Sequence, residues 1–198
     1  MACAACEANK NRKTAGFVSS LANQYPPYNS TDIAVYDGTE TRALTQEDWP
    51  KDRHKLLLFY PETFTPVCTS EMGAVSEWIE PFNQLSCDVY SVTADDIDRV
   101  EQWYKEDEAL SVLNYKALSS FLLPQRLGIM NGNTCKRASV FITTEGDVII
   151  QEHFMKVGRS LKELHRTMYA YTTGSYCGEG WTDPSDGFLT KELKHENH

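Results

Sequence analysis

The run Pro61-Glu62-Thr63-Phe64-Thr65-Pro66-Val67-Cys68-Thr69-Ser70-Glu71 places a thiol where a helix is predicted to open. A cysteine in a first helical turn faces unsatisfied backbone N–H groups and the positive end of the helix dipole. Both favour the thiolate, which is the nucleophilic form. Thr65, three residues earlier, carries a hydroxyl that can reach the same sulfur or an oxygen of a bound substrate. Pro61 has no N–H and sets the turn after the preceding apolar run, where it can shield the sulfur from water. Position alone leaves two readings open: a reactive thiolate, or a small buried hydrophobe at a helix start.

The other five cysteines divide by context. Cys3-x2-Cys6 has redox-pair spacing but lies neither after a strand nor before a clear helix, and no second pair has metal spacing. A general thiol–disulfide oxidoreductase built on Cys3 and Cys6 is one rival reading. Cys87 and Cys135 read as packing thiols. Cys177 sits in an irregular, Gly-rich tail that can move to meet a partner; alone it reads as an idle surface thiol. His54, His153, His165, His195 and His198 show no metalloprotease spacing. No metal and no cofactor is expected. Asp95-Asp96 looks like a carboxylate pair but falls where a helix cap is expected.

These residues need elements to hold them. Ile33–Tyr36 and Thr39–Leu44 flank Asp37-Gly38, a strong hairpin signal. Residues 55–60, Lys-Leu-Leu-Leu-Phe-Tyr, read as a strand buried on both faces. From Val67 the apolar positions Met72, Val75, Ile79 and Phe82 follow helical spacing, and Pro81 is expected to end or kink that helix. Asp88–Val92 is a second strand. Thr93–Asp96 resembles a capping box before a stripe of Ile97, Val100, Trp103 and Tyr104. Leu118–Met130 is predicted as a short helix. Ala138–Thr143 and Val148–His153 are predicted as a hairpin through Glu145-Gly146-Asp147. Ser160 to Glu163 is a second capping box, opening a helix with Leu161, Leu164, Met168 and Tyr171 on one face. The alternation predicts an α/β sandwich with a mixed central sheet. The expected organisation is an N-terminal arm (1–30), a domain (31–172) and a tail (173–198).

Composition bounds the function. The chain has 198 residues, a net charge of −9 and no basic run of Lys and Arg, which makes it a poor candidate for nucleic acid. Its longest apolar run, Leu56–Tyr60, is far short of the ~20 residues of a membrane span. No basic residue leads into an apolar stretch at the N-terminus, so no signal peptide is read. A reducing, cytoplasmic setting follows by default, where cysteines serve reactivity more often than bridging.

Four segments together resemble the peroxiredoxins, typical 2-Cys type. They are Pro61-x3-Thr65-x2-Cys68 with Phe59-Tyr60 before it and Glu71 after it; Arg137-Ala138-Ser139-Val140-Phe141; Val157-Gly158-Arg159-Ser160 with Glu163, Arg166 and Ala170; and Tyr176-Cys177-Gly178-Glu179-Gly180-Trp181. The resemblance runs from about Ile33 to Trp181 in the family's order. It implies a thioredoxin-like fold with an N-terminal hairpin and a C-terminal resolving tail. It implies that Cys68 attacks a peroxide and becomes a sulfenic acid. Thr65 and Arg137 would hold the peroxide oxygens, Arg137 would also favour the thiolate, and Pro61 would limit water. Cys177, 109 residues on, would resolve the sulfenic acid as an intersubunit disulfide. A homodimer is therefore implied, decameric rings of dimers being common in the related group, with a thioredoxin-like protein or a flavoprotein disulfide reductase as reductant. The same fold admits an alternative, a redox-gated chaperone or peroxide sensor.

The chain departs from the family pattern in places. Thr69 stands where proline is usual and Pro66 where an aromatic is usual. The Ser/Thr-His-x-x-Trp segment keeps its tryptophan, Trp103, with Val100 in the histidine's place. The loop before Cys177 is shorter than usual. No Gly-Gly-Leu-Gly follows Leu127-Gly128 and no Tyr-Phe helix follows Trp181, as in the robust bacterial type.

Overall fold

A computed structural model describes residues 32–189, and the chain divides into two compact units, Met1–Arg159 and Ser160–His198. Cys3, Cys6, His195 and His198 lie outside the described residues.

The first unit is built on a seven-stranded mixed sheet. Strands β1 (Ala34–Tyr36) and β2 (Thr41–Ala43) form the expected antiparallel hairpin. Its turn is held by Asp37, whose Oδ1 accepts from Thr39 N at 3.0 Å, and Gly38 takes a positive φ of 95°. Strand β3 (His54–Phe59) runs parallel to β4 (Cys87–Thr93) and antiparallel to β8 (Ala138–Ile142). Strand β5 (Lys116–Ser119) lies parallel to β4 and antiparallel to β1, and β9 (Val148–Glu152) closes the far edge. The order is β2-β1-β5-β4-β3-β8-β9. Leu57 and Phe59 join one core with Val35, Val92, Leu118 and Val140. Leu56 and Leu58 point the other way by strand alternation and are equally buried. Strand β3 is thus covered on both faces, as the unbroken apolar run predicts.

Between β3 and β4 the chain forms helix α1 (Pro66–Val75), a 3₁₀ turn (Ser76–Trp78) and helix α2 (Ile79–Gln84). The helix breaks as expected, not at Pro81 itself but at Glu77 four residues earlier, whose carbonyl a helical Pro81 would clash with and cannot bond. Pro81 sits in the first turn of α2, where a missing N–H costs nothing, and the break falls upstream at the 3₁₀ turn. Helix α3 (Ile97–Glu106) follows β4. Its cap differs from expectation: Thr93 belongs to β4, Asp96 is the N-cap residue, and no side chain caps the helix.

The predicted helix over Leu118–Met130 is a strand and a short helix instead. Leu118 and Ser119 end β5, and only α4 (Leu122–Leu127) is helical. A short buried strand and a buried helical segment carry the same unbroken apolar signal, so local pattern does not separate them. Strands β6 (Met130–Asn131) and β7 (Thr134–Cys135) then form a separate small hairpin.

The second unit carries helix α5 (Leu161–Thr172), capped as predicted by Ser160 Oγ accepting from Glu163 N at 3.2 Å. Arg166 grips Glu163 with two 2.7 Å bonds and donates a third, also 2.7 Å, to the Trp181 carbonyl. The Trp181 ring lies 5.7 Å from Tyr169 and 6.0 Å from Phe188. An isolated antiparallel bridge joins Tyr176 to Leu189.

Candidate active site

The site grows from the carboxyl end of β3. Tyr60 N donates to Val92 O at 3.0 Å, so the chain leaves the sheet still registered to β4. Asp95 then pins the loop: its Oδ2 accepts from Thr63 N and Thr63 Oγ1, both at 2.8 Å. Of the Asp95-Asp96 pair, Asp95 therefore braces this loop, while Asp96 takes the N-cap position of α3. Phe64 adopts a left-handed φ of 56°, a strained conformation for a bulky side chain. Its ring stands 6.3 Å from Trp103, with the Arg99 guanidinium 5.7 Å from its centre. Partly buried Pro61 lies in this loop.

Thr65 is the N-cap residue of α1, in extended geometry. Its hydroxyl donates to Glu62 O at 3.0 Å rather than capping the helix. Pro66 takes the first helical position, and Cys68 lies in the first turn, 1% exposed. Arg137 stands immediately before β8 and reaches across the sheet, its Nη2 lying 3.4 Å from Cys68 Sγ. The Met155 carbonyl accepts from Arg137 Nε and Nη2 at 3.3 and 3.1 Å.

Glu71, one turn beyond Cys68, connects two arginines. Its Oε2 accepts from Arg137 Nη1. Its Oε1 accepts from Arg159 N at 2.6 Å and Arg159 Nε at 3.0 Å. Arg159 also donates to Ala138 O at 2.8 Å and Phe59 O at 2.6 Å, tying the site to β8 and β3. All three charged side chains are buried. Two guanidinium groups against one carboxylate leave one positive charge beside the sulfur, which a thiolate would neutralise. Buried charges are tolerated only when paired in this way.

Two further groups border the site. Tyr60 has a fully buried hydroxyl with no hydrogen-bond partner among the described residues, and burial raises its ionisation well above the usual phenol range. The His153 ring lies 2.9 Å from Ser139 Oγ. Burial first, then the nearby Arg159, lower its titration from the usual imidazole value.

The expected residues of the first unit thus meet in part. Cys68 and Arg137 are in contact; Thr65 stands at the same helix start, with its hydroxyl turned to Glu62. Cys177 belongs to the second unit, half-buried, its Sγ 3.7 Å from Ser175 O and 3.9 Å from both Ala170 O and Thr173 Oγ1. Cys87 and Cys135 are buried, and that burial pushes both thiols up to about 12. Glu71 and Arg159 were not singled out as site residues from sequence. Both lie inside the quoted motifs, and membership of those motifs was the available signal.

The segment 29–151 matches the AhpC/TSA family model, which covers more than half the chain. The chain belongs to the peroxiredoxin family. Peroxiredoxin-2 of Rattus norvegicus is 31% identical over 173 residues, covering 81% of this chain and 86% of the relative. The mitochondrial thioredoxin-dependent peroxide reductase of Homo sapiens is 29% identical over 174 residues, covering 82% and 67%. Among solved structures, Enterococcus faecalis AhpC superposes with a TM-score of 0.67 at 27% identity, covering 71% of this chain and 87% of that one. The mixed sheet with flanking helices is the thioredoxin-like fold that these peroxiredoxins share. As a peroxiredoxin the chain is a thiol-dependent peroxidase. Among its described residues no helix is long and apolar enough to cross a membrane.

Proposed function

We propose that Cys68 is the peroxide-reacting cysteine and Cys177 its resolving partner. The observation that carries the Cys68 assignment is the Arg137 guanidinium 3.4 Å from the buried Cys68 sulfur, oriented by Glu71; Cys177 is assigned by resemblance to the family's resolving segment. The Cys68 thiolate attacks the terminal oxygen of a hydroperoxide. An S–O bond forms, the O–O bond breaks, and the leaving oxyanion takes a proton to become water or an alcohol. Cys68 is left as a sulfenic acid, oxidised by two electrons. Negative charge shifts from sulfur to the leaving oxygen, and a fixed guanidinium that costs no reorganisation stabilises that shift. A χ1 rotation brings the Thr65 hydroxyl from Glu62 O to the peroxide, and Pro61 restricts water at the loop.

Cys177 of a second subunit then attacks Cys68. The S–O bond breaks, water leaves, and an intersubunit disulfide forms. A dithiol reductant, a thioredoxin-like protein or a flavoprotein disulfide reductase, donates two electrons and restores both thiols. The working unit is a homodimer, assembled further as a decamer built from such dimers, in a reducing cytoplasm. The tail from residue 173 carries the resolving step, and the domain over 31–172 the peroxide step.

The test is peroxide consumption with a thiol reductant. Cys68→Ser is expected to abolish it, and Cys177→Ser to allow one oxidative equivalent and then stop. Continued turnover by Cys68→Ser overturns the assignment. Wild-type consumption that stops near one equivalent per subunit identifies a sensor in place of a peroxidase.

A further inference from the structure

The first turn of α1 is held poorly by its own ends. Its N-cap residue makes no side-chain bond to the turn, and no acidic residue stands in it. Pro66 supplies no N–H. The turn's backbone bond runs from Thr69 N to Thr65 O at 2.9 Å. Two side chains from other elements reach in. One is Arg137, at Cys68. The other is Trp103 of α3, whose indole Nε1 donates to Thr69 Oγ1 at 3.3 Å.

Trp103 is a fixed donor. It is fully buried, with its ring 5.4 Å from Tyr60, 5.5 Å from Tyr104 and 6.3 Å from Phe64. A buried indole N–H without an acceptor costs more than a made hydrogen bond gains. Thr69 therefore gives the turn an anchor in the aromatic core, directly after Cys68.

The anchor bears on which reactions reach the sulfur. A disulfide needs an S–S distance of ~2.05 Å and Cβ atoms within ~3.5–4.5 Å. Cys68 is 1% exposed, so a second cysteine meets it only after the turn opens. A peroxide is small enough to react with the turn closed. We propose that the Thr69 hydroxyl, through Trp103, latches this turn and sets how oxidised Cys68 divides between disulfide formation and further oxidation. The inference rests on the assignment of Cys68 as the peroxide-reacting cysteine.

Both branches start from the Cys68 sulfenic acid. With the turn closed, a second hydroperoxide transfers one oxygen to sulfur; its O–O bond breaks, water or alcohol leaves, and a sulfinic acid results. With the turn open, the Cys177 thiol attacks sulfur, the S–O bond breaks, and the hydroxyl leaves with the thiol proton as water.

The test uses the full chain, hydrogen peroxide as oxidant, and the variants Thr69→Val and Thr69→Ser. Valine keeps the shape and removes the acceptor; serine keeps the acceptor. Mass spectrometry gives the ratio of disulfide to sulfinic acid, and iodoacetamide alkylation of reduced Cys68 reads turn opening without involving Cys177. Thr69→Val is expected to raise both about fivefold, the scale of one hydrogen bond, and Thr69→Ser to keep both near wild type. An unchanged ratio in Thr69→Val, or a Thr69→Ser that behaves like it, overturns the proposal. A wild type that forms no Cys68–Cys177 disulfide overturns the resolving assignment instead; the latch then stands or falls on the alkylation rates.

Discussion

Glu71 and Arg137 touch each other, yet their loss should have different consequences. Arg137 touches the sulfur, so Arg137→Met should lower kcat/KM for hydrogen peroxide by about 10²–10³, as removal of one preorganised donor does. A loss under threefold would mean that the guanidinium does not stabilise the transfer. The Glu71 carboxylate accepts from the two arginines, and Glu71→Gln leaves both buried cations without their shared carboxylate. It should destabilise the fold by about 3–5 kcal/mol in urea unfolding. Cys87 and Cys135 give a third check at this scale. With thiols pushed up to about 12, both should resist iodoacetamide at pH 8 in the native protein and react on unfolding. The motif around Cys68 was readable because its parts lie within eleven residues. Glu71's role was not, because its partners are 66 and 88 residues away.

Helix α1 owes its position to a glycine as much as to its apolar face. A Cβ built on Gly73 would meet Ala109 O at 2.7 Å, a backbone atom of the 3₁₀ turn Glu108–Leu110 that cannot swing aside. Gly73→Ala should therefore cost about 1–3 kcal/mol, as overpacking does, measured as a lower urea midpoint with unchanged slope. An unaffected midpoint would show that this contact yields freely. The same scale shows where pattern reading succeeded and failed. The β3 run and the Ser160 cap were legible because each is a local signal. Leu118 and Ser119 were absorbed into a predicted helix, since the strand identity of Lys116–Ser119 comes from pairing with β1 and β4. Asp95 looked like a cap because its true partner, Thr63, lies 32 residues earlier.

At one edge of the sheet, Asp48 links β2 to β5, the strands on either side of β1. Nearly fully buried, it accepts from Arg42 Nη1 at 2.6 Å, Nη2 at 2.9 Å and Thr45 N at 2.8 Å, and faces Lys116 Nζ at 3.6 Å. Burial raises its titration, but the bonds from Arg42 and Thr45 outweigh it and hold the carboxyl well below the usual range. A depressed carboxyl contributes stability that is complete above its unfolded value near 3.9 and lost as the pH falls further. Wild-type stability should therefore drop below about pH 4. Asp48→Asn should be less stable at pH 7, by about 1–3 kcal/mol, and should lose less on acidification. Urea unfolding at pH 7, 4 and 3 checks both, and equal acid losses would contradict the assignment. Assembly has its own measurement. After stoichiometric peroxide, a non-reducing gel should show a band at twice the monomer mass, absent in Cys68→Ser and in Cys177→Ser. A disulfide confined to the monomer would point to a resolver other than Cys177 of a second subunit.

Local signals were enough to determine a thiol at a helix start, a doubly buried central strand, a mixed α/β architecture and the family itself. Each depends on neighbours in sequence: periodicity, turn residues, caps and short motifs. Tertiary structure alone decided the chemistry's surroundings. Only folding brings Arg137 to Cys68, places one carboxylate between two buried guanidiniums, and gives Thr69 its bond to Trp103. Those contacts arise from strand order and sheet closure, which pair residues far apart in the chain, and buried charge must find such partners wherever the fold supplies them.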